Sequence, residues 1–271
     1  MICLPLLRVG IIQTTVEVGK RDENYARLES LLEQNYVSSE TETVLVLPEI
    51  WDVGYAISEP DLCGDAEAGM AAEFLGSLAR KYNCWFAGGS VLALTEEGAK
   101  NRAMVINPNG EYTASYDKVH LFARMHEDKY IKAGSSRTLF DIGGTRCGIA
   151  VCYDLRFCEW FSLYALDGAE VLFLSAQWPM ERISHWRALL QARAIDNMMY
   201  IAACNRCGRT KRTLFGGNSM VIDPDGEILC DFGEEESFSF VTFDTEKTAA
   251  ERDTLRTFES RRPDLYGGIC G

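Results

Sequence analysis

The sequence predicts an α/β protein arranged as a four-layer α-β-β-α sandwich of two pseudo-equivalent halves, on three observations. Short β-type runs alternate with helix-period segments along most of the chain, the pattern of sheets covered by helices. Several of the β runs, Val44–Leu47 foremost, are wholly apolar. The third observation is an internal echo: Met104-Val-Ile-Asn-Pro-Asn-Gly-Glu111 returns as Met220-Val-Ile-Asp-Pro-Asp-Gly-Glu227. Each copy reads as a strand, a Pro/Gly turn and a return strand. So common a hairpin can match by chance, but Gly88-Gly89-Ser90 and Gly216-Gly217-Asn218 also precede their copies. Two such layers packed together put a cleft where strand ends from both halves meet.

In order, Leu7–Gln13 reads as a strand, residues 23–34 as a helix and Val44–Leu47 as a strand ending at Pro48-Glu49. A helix over 66–82 leads into strands at 85–94 and 102–106. Thr145–Val151 is a strand, followed by a helix near 159–166 and a strand at 171–174. A helix over 181–198 and a strand at 200–204 come next. Residues 218–243 read as a meander before a charged tail. No Pro/Ser-rich linker divides the chain, so 1–271 reads as one domain. The tail from about Arg252 to Gly271 either crosses to a partner subunit or stays loose.

With 47% hydrophobic residues the chain can bury a sizeable core, which rules out a disordered chain. Its net charge of −13 argues against nucleic acid or an anionic membrane as partner, since both reward a basic face. The opening Met1–Arg8 has no basic, apolar leader pattern and no run approaches a membrane span. Ten cysteines without a secretory signal suit a reducing compartment, so the cytoplasm is expected.

Three residues follow predicted strands, where loops carry function on a rigid scaffold. Glu49 lies in Leu47-Pro48-Glu49-Ile50-Trp51, a Pro-fixed aromatic loop suited to a desolvated base. Taken alone, it reads more readily as a solvated loop acid or a helix cap. Lys118, in Tyr116-Asp117-Lys118-Val119-His120-Leu121-Phe122, could set a positive charge beside a reacting carbonyl, or pair with Asp117 at the surface. Cys152, in Val151-Cys152-Tyr153-Asp154-Leu155-Arg156-Phe157, sits at a strand-to-helix elbow. Such an elbow exposes the sulfur and aims backbone N–H groups at it, lowering the thiol pKa and cradling an oxyanion. The plain alternative is an inert buried cysteine.

These three motifs, in this order, resemble the nitrilase, or carbon–nitrogen hydrolase, superfamily, over about Leu7–Phe243. Ala192-Arg193-Ala194-Ile195-Asp196-Asn197 resembles part of its long helix. The resemblance implies a nitrilase-like fold, Cys152 as nucleophile and Glu49 as its base. It implies that Lys118 and the backbone N–H of Tyr153 stabilise the oxyanion, with no metal or organic cofactor. A second family glutamate matches Glu127, which would orient Lys118 or substrate; the alternative is an exposed acid. A homodimer or higher homo-oligomer is also implied.

Within the superfamily the sequence is most similar to the omega-amidase branch, which hydrolyses the terminal amide of 2-oxo acids such as 2-oxoglutaramate. That similarity rests on Trp160 close behind the elbow and on Gln177-Trp178-Pro179 followed by His185-Trp186. Trp178 would wall the pocket and Tyr55 line its entrance. Arg182 and Arg156 are candidates for gripping a substrate carboxylate, because a guanidinium matches that group bidentately. Arg156 is expected to pair with Asp154. An N-carbamoyl amino acid amidohydrolase, a deaminated glutathione amidase and a nitrilase are the alternatives inside the superfamily. Outside it, Cys204-Asn-Arg-Cys207 would suit a thiol redox protein, and a silent binding module on the same fold is a third class. Asp231-Phe232-Gly233 lacks the other kinase motifs, and no Gly-x-Ser-x-Gly elbow is present.

Overall fold

The computed structural model describes residues 5–266. In chain order its elements are β1 (Leu6–Gln13), α1 (Arg21–Asn35), β2 (Thr43–Val46), α2 (Pro60–Cys63), β3 (Asp65–Ala66), α3 (Gly69–Tyr82), β4 (Trp85–Thr95), β5 (Gly98–Ile106), β6 (Tyr112–Asp117) and α4 (Glu127–Tyr130). Then come β7 (Leu139–Ile142), β8 (Thr145–Val151), α5 (Cys158–Leu166), β9 (Val171–Ala176), α6 (Ile183–Asn197), β10 (Tyr200–Asn205), β11 (Met220–Ile222), β12 (Ile228–Asp231), β13 (Ser237–Asp244), α7 (Glu246–Leu255) and α8 (Pro263–Tyr266).

The strands form two sheets, ordered β13-β1-β2-β4-β5-β6, with β3 beside β4, and β12-β11-β10-β9-β8-β7. The halves are pseudo-equivalent in connectivity. In the first, β1, β2 and β4 run parallel and β5 and β6 return antiparallel. In the second, β8, β9 and β10 run parallel and β11 and β12 return antiparallel. The echoed hairpins occupy matching places. Each carries a register shift at its Val-Ile pair, Val105/Ile106 and Val221/Ile222. Each turn is closed by the same bonds, from Gly110 N to Asn107 O (2.8 Å) and from Gly226 N to Asp223 O (3.0 Å).

Period-2 alternation splits β2 between two cores. Val44 and Val46 join Val9, Ile11, Ala87 and Val105, and with Ile149, Val151 and Phe173 of the second sheet they form the seam between the sheets. Leu45 and Leu47 point the other way, against Leu28 and Leu32 of α1 and Leu75 and Leu78 of α3. Each such fully buried side chain contributes about 1.5–3 kcal/mol relative to exposure. On the far side, Phe161 and Tyr164 of α5 and Trp186 and Leu190 of α6 cover the second sheet. Gly148 of β8 is obligatory there, because a Cβ would lie 2.6 Å from the Tyr164 ring. The result is the expected α-β-β-α sandwich.

Three expectations change. The helix expected from residue 66 starts at Gly69, because Asp65–Ala66 pairs with β4 and the Asp65 carboxylate accepts the N–H groups of Met70 (3.0 Å) and Ala71 (2.9 Å). Second, 218–243 is no simple meander: β13 crosses to the first sheet and pairs with β1 from Leu6↔Asp244 to Gln13↔Ser237. Third, the tail starts in the last turn of α7, where Arg252 Nη2 donates to the Ala169 carbonyl of this chain. Residues 267–271 of that tail lie outside the described residues. Among the described residues no helix is long and apolar enough to cross a membrane.

Candidate active site

Parallel strands of both sheets deliver their following residues to one place, the crevice beyond strand carboxyl ends where α/β proteins bind ligands. Glu49 follows β2, Cys152 follows β8 and Gln177 follows β9. The loops there are bent hard. Ile50 (φ 39°) and Cys152 (φ 49°) hold left-handed backbone, uncommon for non-glycine residues and a form of local strain that clusters at functional sites.

At the centre lies the Lys118 ammonium. It donates to Glu49 Oε1 and Glu127 Oε1, both at 2.8 Å, and all three side chains have 0% exposure. The Tyr55 hydroxyl bridges the same two carboxylates, at 2.6 Å from Glu127 Oε1 and 3.2 Å from Glu49 Oε1. Asn101 Nδ2 donates to Glu49 Oε1 (2.8 Å) and the Gln177 backbone N–H to Glu49 Oε2 (3.0 Å). The Phe122 N–H donates to Glu127 Oε2 (2.6 Å). Every carboxylate oxygen is therefore satisfied, as buried charge requires.

Electrostatics follow from that packing. Burial works against the Lys118 charge, but Glu127 and Glu49 outweigh it and hold its pKa well above the usual value. Burial, then Glu127 and Glu49, raise the Tyr55 phenol well up. The Cys152 thiol also goes well up, chiefly through burial, then through the Glu49 charge, with Lys118 pulling the other way. This corrects the expectation of an exposed, acidified sulfur. Cys152 is buried, and desolvation of a thiolate exceeds what the elbow and Lys118 return. The resting sulfur is thus a thiol whose proton must be removed during attack, with Glu49 among the charges acting directly on it.

Behind the elbow, Asp154 is fully buried and braces it. Its carboxylate accepts from Tyr116 Oη (2.7 Å), Val151 N–H (2.9 Å) and His120 N–H (3.1 Å), and His120 Nδ1 lies 2.7 Å away. Arg156 therefore does not pair with Asp154 as expected. It lies 4.8 Å over the Trp178 ring instead, because Asp154 points inward to better donors. Asp117 likewise pairs with Arg102 (2.7 Å) and not with Lys118.

Sulfur, Tyr55, Tyr153, Arg156, Gln177, Trp178 and Arg182 line a narrow cleft of about 30 Å³. Trp178 is pinned by its indole N–H, which donates to the Arg182 carbonyl (2.9 Å). Glu127 is no exposed acid. It opens α4 after His126 turns left-handed (φ 62°), which swings its side chain inward. Sequence reasoning missed Asn101, the Gln177 donor and Arg206. Arg206 is 1% exposed without a carboxylate partner among the described residues, and burial pulls its pKa to about 10. It donates to Gln177 Oε1 (2.9 Å), and Gln177 Nε2 in turn donates to the Glu49 carbonyl (2.6 Å). No local motif marks Asn101 or Arg206; Asn101 is a polar residue within β5, and Gln177 and Arg206 are the first residues after β9 and β10. Cys204 and Cys207 are buried free thiols, which burial pushes well up and up to about 12. That is the setting of inert cysteines, not of a redox pair.

A thiol, a carboxylate and an ammonium in one dry hollow are the equipment of hydrolysis through a thioester. The chain belongs to the carbon–nitrogen hydrolase family, whose model matches residues 8–253. It is 35% identical to the 2-oxoglutaramate amidase of Bacillus subtilis over 258 residues, 95% of this chain and 98% of that one. It is 38% identical to an omega-amidase of Escherichia coli over 192 residues, 69% of this chain and 71% of the other. Among solved structures, a CN-hydrolase superfamily protein of Xanthomonas campestris with an arsenic adduct in its active site superposes with a TM-score of 0.86. The two are 26% identical, covering 95% of this chain and 97% of that one. The protein is an amide-hydrolysing enzyme of the nitrilase superfamily.

Proposed function

We propose that the enzyme is an omega-amidase that releases ammonia from a small carboxylate-bearing amide such as 2-oxoglutaramate or 2-oxosuccinamate. The observation that carries this reading is the buried Glu49–Lys118–Glu127 cluster beside the Cys152 sulfur, at the floor of a cleft walled by Trp178 and Arg182.

Glu49 takes the Cys152 proton as the sulfur attacks the amide carbon. Lys118 and the Tyr153 backbone N–H, in the first turn of the short 3₁₀ helix Cys152–Arg156, stabilise the tetrahedral oxyanion. The intermediate collapses when Glu49 returns the proton to the departing nitrogen, which leaves as ammonia and a thioester remains. Glu49 then deprotonates a water that attacks the thioester, and the acid and the Cys152 thiol are regenerated. Glu127 keeps the Lys118 ammonium aimed. Tyr55 and Trp178 contact the acyl chain and Arg182 its carboxylate.

The proposal carries with it a single hydrolase domain, supported by the family match over 8–253. It also carries a cytoplasmic location, supported by the free cysteines among the described residues, and a homo-oligomer, supported by the resemblance. Ammonia release from 2-oxoglutaramate, 2-oxosuccinamate, a simple nitrile and an N-carbamoyl amino acid tests it, with Cys152→Ala as control. Preference for the nitrile or the carbamoyl compound refutes the omega-amidase reading. Full activity of the variant refutes the thiol mechanism.

A further inference from the structure

Immediately outside the Cys152 cleft lies a wider hollow that shares Phe122, Met125, Pro179 and Arg182 with it. Three guanidiniums, those of Arg124, Arg182 and Arg212, line this hollow against a single carboxylate, Glu181. A second adjoining hollow adds Arg209 and Lys211 against one further carboxylate, Glu17, and reaches Tyr55 at the cleft mouth. Among the described residues, the only ion pair any of these five cations makes is Arg182 with Glu181, at 3.5 Å. In a chain of net charge −13, with 40 acidic residues, five cations around one opening stand against the overall balance.

Their position is held by the fold. The segment 208–215 doubles back on itself: Phe215 N–H donates to the Gly208 carbonyl (2.9 Å) and Thr210 N–H to the Thr213 carbonyl (2.9 Å). It is tied to the cleft wall where Met180 N–H donates to the Leu214 carbonyl (2.9 Å) and Pro179 bridges Phe215. Pro179 follows Trp178 directly, so the basic turn and the pocket wall are one continuous piece. Like charges lining one opening repel one another. An incoming anion relieves that repulsion.

We propose that this rim is a capture site for the carboxylate of an anionic amide, in which Arg124 and Arg212 with Lys211 hold the substrate before Arg182 passes it into the cleft. The inference rests on the carboxylate-amide reading given above and names the residues that recruit such a substrate. Potentials of this kind raise the local concentration of an oppositely charged ligand, and salt weakens them over a Debye length of about 8 Å at physiological ionic strength.

The test compares kcat/KM for anionic 2-oxoglutaramate and neutral butyramide in the wild type and in Lys211→Glu/Arg212→Glu, at low and high sodium chloride. The quantity read is the anionic-to-neutral ratio within each protein, so a partly misfolded preparation cancels out. The ratio is expected to fall about tenfold in the double variant at low salt, and the wild-type ratio to decline toward it as salt rises. Lys211→Gln/Arg212→Gln is expected to lie between them. A ratio unmoved by the substitutions or by salt, with the anionic amide still preferred, overturns the capture site and leaves the carboxylate-amide reading intact. A wild type that hydrolyses butyramide and leaves 2-oxoglutaramate untouched overturns that reading itself.

Discussion

Replacing Lys118 by Met removes the cation that joins two buried carboxylates. Glu49 Oε1 and Glu127 Oε1 each lie 2.8 Å from the ammonium and share one tyrosine hydroxyl, so without it two anions face each other in a dry site. At that separation each ion pair has a Coulomb attraction of about 6 kcal/mol for an effective dielectric of about 20. Desolvation offsets much of this, and breaking a buried pair by deleting one partner costs about 3–5 kcal/mol. For a chain of this size that loss lowers the unfolding temperature by about 10 °C. Charge, not the loss of a long side chain, is the stated cause, so removing one of the stranded anions should recover stability. Lys118→Met/Glu127→Gln should therefore unfold at a higher temperature than Lys118→Met, although Glu127→Gln alone lowers it. Calorimetry on the four proteins of this cycle measures the coupling. Additive effects, with the double variant less stable than either single one, refute the account of the site as a charge-balanced cluster.

Two further outcomes follow from the same geometry. Because burial and Glu49 hold the Cys152 thiol pKa well above that of a free cysteine, the folded state keeps its proton as pH rises, and thiolate accumulates about tenfold per pH unit up to that pKa. Alkylation of Cys152 by iodoacetamide, followed by mass spectrometry, should be slow at neutral pH and still climbing above pH 9; a plateau below pH 8 contradicts the direction of the shift. Tyr116→Phe removes one of the donors to buried Asp154, and should cost about 1–3 kcal/mol of stability and lower kcat more than KM changes. Unchanged kcat in this variant, measured as ammonia release, means that the Asp154 brace does not position the nucleophile.

Much of this protein is legible locally. The apolar β2 ending in Pro48-Glu49 and the apolar β8 ending in Cys152 announce strand ends by composition alone. The repeated Met-Val-Ile hairpin announces two matched halves, since a turn is encoded within about four residues. What escaped is non-local. The pairing of β13 with β1 joins residues more than two hundred positions apart, and a strand with no turn tying it to its partner carries no signal of which sheet it joins. Asn101, Gln177 and Arg206 look like ordinary polar residues until the sheets meet. Arg156 has an acid two positions earlier, yet that acid faces inward to Tyr116 and His120.

By itself the amino-acid order determined the alternation of strands and helices, the residues left at strand ends, and the kinds of group available for chemistry. Those depend on neighbours in the chain, through backbone sterics and the spacing of apolar side chains. Only the tertiary structure decided that Glu49, Lys118 and Glu127 share one buried spot, that the sulfur beside them is buried too, and that arginines gather at its mouth. Desolvation and Coulomb energy depend on distance in space and on exclusion of water, and neither is set until both sheets have packed.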